Sequence, residues 1–451
     1  MKEDRAAAGS SGVRERIPWG ADGVLEFELP GGWNLLGSMR PASPSALADV
    51  ETELERALVQ PTGCGPLAEL ARGKRKVAIV VDDISRPTPA YRLMGKVLEH
   101  LAGGGVKADS VTLIPGLGVH RPMTREEMEA KAGKANLETA RWENHDSRDG
   151  EKLVFLGRTR RGTRVYVNRT VAESDLVVLV GTIEPHVHAG FGGGYKNILP
   201  GVSGVVTISR NHAICAHPRY FSMIGTEPEK NPMRLDIEEA GRMLKGTVFI
   251  VNTVLDQGGG IVAVVAGDPV AAHRRGVKAA AGMYGVRVPR RADVVITGSS
   301  PMDLDLRQGG KAIANTLFAA KPGGVIIAAM KCEEGIGSVR IPKFMIPSNP
   351  LAAKLVAKLL CLAVTRIAPP GISPEERFAA YFLFRAVLRN RILLYAPSIC
   401  DELKGKIPIA KVYGDFEEVI REAHGIRPRA DVLIFPSGGV TYPVLPERSA
   451  G

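Results

Sequence analysis

What most limits the fold open to this chain is an alternation that runs through nearly all of it. Short apolar runs at residues 77–81, 111–115, 176–180, 249–255 and 261–265 are interleaved with segments of helical period, among them 91–101 and 269–284. Predominantly apolar runs of that length suit strands buried on both faces, and strand–helix–strand succession is the pattern of largely parallel sheets with helices packed on them. A second series follows, with strands at 292–297, 325–329, 392–395 and 432–435 and helices at 306–320, 351–364 and 375–388. At 451 residues the chain exceeds what one hydrophobic core usually serves. The expectation is therefore two α/β domains with an active-site cleft between them: residues 17–270, holding catalytic and cofactor-binding groups, and residues 271–451, closing the cleft. Residues 1–16 lack an apolar stretch of the kind a secretory signal needs and read as a disordered leader.

Composition removes several classes of function. No apolar run approaches the ~18–20 residues that span a bilayer, so no membrane role is expected and the cytoplasm is the expected location. The five cysteines, Cys64, Cys215, Cys332, Cys361 and Cys400, include no C-x-x-C pair, which argues against a disulfide framework or a structural zinc knuckle. A net charge of +11 invites a nucleic-acid reading. Its basic residues, however, come in short separated groups such as 72–76 and 158–164, with no recognition-helix or RNA-binding signature beside them. A solvated basic surface or attraction of anionic metabolites is the better account.

Chemistry concentrates in one region. Six of the nine histidines, His120, His145, His186, His188, His212 and His217, fall between positions 120 and 217. The densest stretch is E-P-H-V-H-A-G-F-G-G-G-Y-K-N from Glu184, with N-H following at Asn211. Gly192, Gly193 and Gly194 before Lys196 suggest a loop whose backbone amides approach an anion, although neither the P-loop order nor the G-x-G-x-x-G register is present. A flexible loop with a solvated lysine is the competing reading. His120 sits in G-L-G-V-H-R ahead of a capping box formed by Thr124 and Glu127, which places it in a strand-to-helix loop where functional side chains project. His120 and His186 can serve as an acid and base pair, whereas His145 and His188 show nothing beyond structural hydrogen bonding. Asp83 can orient a neighbouring imidazole, and Arg86 offers a planar fork for a carboxylate or phosphate. His212, with Cys215 at i+3, can ligate a metal, but no third and fourth ligands stand at zinc-site spacing. Gln308 and Lys311, at i and i+3, offer donors to an anion from the second domain.

Taken together, D-D-I-S-R-P-T-P at Asp82, G-V-H-R at Gly118, the Glu184 motif, N-H at Asn211, D-L-x-Q-x-x-K at Asp305 and G-G-V-T-x-P at Gly438 resemble the nickel-pincer-nucleotide lactate racemase family of 2-hydroxyacid racemases and epimerases. The resemblance implies a pyridinium-3,5-bisthiocarboxylic acid mononucleotide carrying Ni(II). Lys196 would hold it covalently, with Gly192, Gly193 and Gly194 around it and His212 completing the metal site. It implies His120 and His186 as the catalytic pair and Asp83, Arg86, Gln308 and Lys311 as substrate-binding groups. The reaction would invert C2 of a 2-hydroxyacid by reversible hydride transfer through a 2-oxoacid. The expected partners are that small substrate and the enzymes that make the cofactor. Lactate-acting members often have Ser-Gly-Gly-Arg-Lys where this chain has Gly192 through Lys196, so Gly192 and Tyr195 leave the substrate open. Two other classes remain: a zinc-dependent hydrolase or lyase using His212, and a noncatalytic carrier of the cofactor.

Overall fold

The apolar runs become strands because both of their faces are covered. Val77, Ile79 and Val81 pack into one core while Ala78 and Val80 pack into another on the opposite side of the same strand, and Leu176–Thr182 divides its residues in the same way. The computed structural model describes residues 13–446 except 21, 43, 338–349, 368–373 and 404–409. Its principal strands are β1 Trp33–Ser38, β2 Val77–Asp82, β3 Val111–Gly116, β4 Arg141–Trp142, β5 Leu176–Thr182, β6 Thr247–Leu255 and β7 Ile261–Gly267, followed by β8 Ala292–Gly298, β9 Ala320–Ala329, β10 Arg391–Tyr395, β11 Ala410–Tyr413 and β12 Ala430–Phe435. The helices used below are α1 Tyr91–Gly103, α2 Arg125–Ala132, α3 Val205–His212, α4 Pro232–Gly241 and α5 Ala271–Tyr284.

Two compact units result, each built on a six-stranded sheet. Residues 42–284 and 363–382 form one, with strand order β7-β6-β5-β2-β3-β4, all parallel except β7 against β6. Residues 1–41, 285–362 and 383–451 are grouped as the other, with order β11-β10-β9-β8-β12-β1, parallel throughout. The α/β class and largely parallel sheets read from the sequence are what the chain adopts. The partition differs from 17–270 and 271–451. The break falls after Tyr284, the end of α5, and the early strand β1 pairs with β12 near the C-terminus. Of the expected leader, residues 1–12 lie outside the described residues; Arg14–Trp19 is already a strand, paired antiparallel with Gly23–Glu28.

The helix expected at 306–320 is broken into Leu306–Gly309, Lys311–Thr316 and a short 3-10 turn, with the first break at the Gly309-Gly310 pair, where helix propensity is lowest. No helix among the described residues is long and apolar enough to cross a membrane.

In the first unit the chain runs outward from β2 through β3 to β4 on one side and through β5, β6 and β7 on the other. The carboxyl ends of β2 and β5 therefore flank the point where strand order reverses, which is where open α/β sheets form a crevice.

Candidate active site

A cleft opens at that crevice. It encloses about 620 Å³ of empty space, part of it open to solvent, and its lining includes Asp82, Asp83, Arg86, His120, Thr182, Glu184, His186, Gly192, Gly193, Lys196 and Asn197. Every one of these residues comes from the unit built around β2 and β5. Asn197 ties the floor together, its amide donating to the Val180 carbonyl at 2.8 Å and approaching that of Val80 at 3.5 Å, so it bridges β5 and β2.

His120 follows β3. The Asp83 carboxylate accepts from its Nδ1 at 2.5 Å, and the Ser85 backbone N–H and hydroxyl donate to the other carboxylate oxygen at 2.9 and 2.5 Å. Burial alone would raise the Asp83 carboxyl, but the His120 imidazole, the Ser85 hydroxyl and the Arg86 charge outweigh it and hold the group well below the usual carboxylate range. An ionised Asp83 fixes the His120 proton on Nδ1 and leaves Nε2 as the basic nitrogen, the arrangement of a carboxylate-oriented general base. The capping box expected at Thr124 and Glu127 is present at the start of α2, immediately after this loop. From α2, the buried Lys131 pairs with Asp82 at 2.8 Å and donates to the Arg86 carbonyl at 2.9 Å, anchoring the Asp83 turn.

His186 stands on the other side and is held in the opposite sense. It lies in a two-residue strand pair, Pro185–His186 against Gly190–Phe191. The backbone N–H groups of His188 and Ala189 donate to its Nδ1 at 3.2 and 3.1 Å, so the neutral ring carries its proton on Nε2, and the Lys196 amine 3.3 Å away accepts from it in the uncharged form. Burial, then the charges of Lys196 and Arg86, lower the His186 imidazole well below its ordinary value; His188 and His212 act in the same direction.

Arg86, expected to hold an anion, donates to Glu184 at 2.9 Å in a partly buried ion pair. His212 ends α3 and is buried, with its Nδ1 on the Ile208 carbonyl at 2.9 Å and its ring stacked on Phe378. It is outside the cleft lining. Since a carbonyl only accepts, the neutral His212 ring presents its lone pair at Nε2. Asn211 beside it donates to the buried Asp236 carboxylate at 2.8 Å, which fixes the end of α3. Cys215 turns instead to the Met233 sulfur at 3.4 Å, and burial pushes its thiol up to about 12, which suits packing better than zinc ligation. Among the described residues no group of three or more His, Cys, Asp or Glu is arranged to hold a metal ion.

The glycine loop departs from the expected anion cradle. The Gly192 N–H donates to the Glu184 carbonyl at 2.7 Å and the Gly194 N–H to Asn252 at 2.8 Å, so two of the three amides are used within the fold. The glycines serve close packing. A Cβ on Gly193, at φ +69°, would lie 2.7 Å from Asn252 and Ile183, and one on Gly194, at φ +60°, would lie 3.0 Å from the His273 ring. Gly192 and Gly193 line the cleft and Gly194 does not. Tyr195 also faces away, buried against Gly241. Gln308 and Lys311 belong to the other unit: the Gln308 backbone N–H is capped by Asp305 at 2.7 Å, and the Lys311 amine lies 3.6 Å from the Met302 sulfur. His145 is buried and bonds the Ser203 carbonyl at 3.0 Å, the structural role expected of it. Arg234, His273 and Asn252, which grip the glycine loop, escaped the sequence reading. Only the Asn231-Pro232 helix start three residues before Arg234 hinted at a fixed element there.

The model of the lactate racemase N-terminal domain matches residues 21–222. The lactate racemase of Thermoanaerobacterium thermosaccharolyticum is 34% identical over 325 residues, 71% of this chain and 75% of that one. The lactate racemase of Lactiplantibacillus plantarum is 32% identical over 295 residues, 64% and 68% of the two chains. Among solved structures, the lactate racemase apoprotein of Thermoanaerobacterium thermosaccharolyticum matches with a TM-score of 0.81 at 28% identity, covering 96% of this chain and 100% of that one. A Thermotoga maritima protein, at a TM-score of 0.60 and 18% identity over 84% of this chain and 96% of its own, shares the fold.

Proposed function

Since the chain belongs to the lactate racemase family, we propose that this racemase inverts C2 of a 2-hydroxyacid by reversible hydride transfer through the 2-oxoacid, using a nickel-pincer nucleotide attached at Lys196. The observation that supports it most is the opposite tautomeric bias of two imidazoles on one cleft: His120 offers a basic Nε2 and His186 an Nε2–H beside the lysine amine.

Each residue then has a physical task. His120 Nε2 accepts the proton of the substrate hydroxyl, and ionised Asp83 stabilises the imidazolium that forms. On the opposite face the His186 Nε2–H donates a hydrogen bond to the substrate oxygen as it becomes a carbonyl, while the proton taken by His120 returns to that oxygen when hydride returns. Arg86 provides a guanidinium for the substrate carboxylate once Glu184 yields its place, and the family motif adds Gln308 and Lys311 as donors. The hydrogen on C2 is poorly acidic beside a carboxylate, so it departs more easily as hydride than as a proton; the bound nucleotide would supply the electron sink that side chains lack.

By the chemistry of their donor atoms Lys196 and His212 suit such a group, with His212 standing outside the cleft lining. The Lys196 amine lines the cleft, and the Nε2 lone pair of His212 is the neutral donor that Ni(II) accepts together with soft sulfur. The Nδ1–H bond to a backbone carbonyl is the outer-shell contact that commonly orients a metal-binding histidine. The hydroxyacid substrate, the cofactor-synthesis enzymes as partners and a cytoplasmic location belong to the same proposal.

Protein co-expressed with cofactor-synthesis enzymes tests it. We expect about one nickel per chain, a mass increment on the peptide containing Lys196, and loss of optical purity in at least one member of a panel of lactate, malate, phenyl-lactate, longer 2-hydroxyacids and sugar acids. Lys196→Ala should lose the increment and the activity together. An unmodified Lys196 in wild-type material, or an adduct with no turnover across the panel, would refute the proposal; the second outcome describes a carrier.

A further inference from the structure

We infer that Arg234 is a positioning residue for the cleft, its guanidinium fixing from behind the backbone on which His186 and Lys196 depend; the catalytic part of the inference rests on the function proposed above. Arg234 sits in the first turn of α4 and is 0% exposed. Its Nη1 donates to the Gly193 carbonyl at 3.1 Å, and its Nη2 donates to the Gly192 carbonyl at 3.3 Å and to that of Phe191. Asn231, the cap of α4, accepts from the Arg234 backbone N–H at 2.9 Å and donates to the His188 carbonyl at 2.9 Å. His273 Nε2 donates to Gly192 at 2.8 Å. Four carbonyls, those of His188, Phe191, Gly192 and Gly193, are thus held by α4 and α5.

Those carbonyls belong to the parts that aim the reactive groups. Gly190 and Phe191 are the strand partners of His186 and Pro185, and the Gly193 carbonyl also accepts from the Lys196 backbone N–H at 3.3 Å. A planar guanidinium with five N–H groups can span three carbonyls; an ammonium is a point charge and cannot. Burial lowers Arg234 to about 10, still far above neutrality, so a full cation lies in the core. Glu238 attracts it but is itself bonded by Arg274 at 2.7 and 3.0 Å. Filling space there would be served as well by an apolar side chain, because isolated buried charge is unfavourable. What the guanidinium adds is a fixed backbone.

The test compares Arg234→Met and Arg234→Lys with wild type. In cofactor-free protein, Arg234→Met should speed amide hydrogen exchange in a peptide covering residues 185–197 by at least about tenfold, while peptides from β5 and β6 exchange as in wild type. Arg234→Lys, which keeps the charge but loses the fork, should show a smaller increase, and it carries the test if Arg234→Met does not fold. In loaded protein, kcat per adduct-bearing chain, counted by intact mass, should fall at least about tenfold with KM within about twofold, and Arg234→Lys should recover part of the loss. Wild-type exchange in the 185–197 peptide, or wild-type kcat per adduct-bearing chain beside a lowered melting temperature, overturns the inference and leaves Arg234 a core strut. Should wild-type protein itself lack the adduct and fail to racemise, the functional proposal falls, and the exchange comparison still decides Arg234.

Discussion

The two histidines of the cleft occupy opposite electrostatic settings. His120 leans on a carboxylate at 2.5 Å, an arrangement that stabilises an added proton. His186 has two N–H donors on Nδ1 and cationic neighbours, an arrangement that opposes one. A racemase must work from either enantiomer, and enantiomers have equal free energy, so the two directions must share one kcat/KM at every pH. Unequal histidines therefore cannot show as a directional difference in kcat/KM. Their asymmetry has to appear in kcat, in variants or in stability.

The largest expected effect is on the carboxylate side. Asp83→Asn replaces an acceptor with an amide able to donate, which removes the bias that keeps the His120 proton on Nδ1. We expect kcat to fall roughly 10²- to 10⁴-fold in both directions, with the Lys196 adduct retained because the substitution leaves the lysine amine itself unchanged. Stopped-assay polarimetry from each pure enantiomer, with intact mass as control, measures it. A loss under about threefold would mean that the dyad does not orient the base.

How far such roles were visible beforehand depended on distance along the chain. His120, the Thr124–Glu127 box and the Asp83 turn were legible because a strand ending in a polar loop and a helix cap are local patterns. The alternating cores of β2 and β5 were legible for the same reason. Pairing of β1 with β12 was not, because it joins residues 33–38 to 430–435 and nothing local records a partner so remote. The glycine loop misled for a related reason. Its glycines look like an anion cradle until Asn252, Arg234 and His273, 41 to 81 positions downstream, are seen filling the space a Cβ would need and binding the backbone. Nor could the motif show that Tyr195, a departure from the lactate-acting pattern, points into the core instead of the cleft.

The pH dependence of stability sharpens the contrast, because the two sides titrate in separate windows. Burial, with cationic neighbours for two of the three, lowers His145, His186 and His273 below the unfolded value of 6.5. The unfolded chain therefore binds protons that the folded chain refuses as pH falls through 6.5, and stability is lost below that point at up to about 1.4 kcal/mol per pH unit for each histidine. Asp83 behaves the other way: its carboxyl is held below 3.8, so its contribution is present above 3.8 and is lost only as pH falls further. Denaturant melts of cofactor-free protein at steps from pH 7.5 to 4.5 should show a plateau down to about 6.5 and a steady decline below it. A plateau extending to pH 5 would show that the His186 side accepts protons without penalty and would remove the asymmetry.

The smallest effect tests whether the His120 side depends on its local cap as the His186 side is argued to depend on Arg234. In the capping box the Glu127 backbone N–H donates to the Thr124 hydroxyl at 3.2 Å and the Thr124 backbone N–H donates to the Glu127 carboxylate at 2.9 Å. Arg121, next to His120, holds the same carboxylate at 2.8 Å. Thr124→Ala removes only the first of these bonds and should cost about 1 kcal/mol of stability. Since Asp83 still grips the imidazole, kcat should change by less than about threefold. A loss of kcat as large as that of Asp83→Asn would show that the helix cap, more than the carboxylate, aims His120, and both sides of the cleft would then be backbone-positioned.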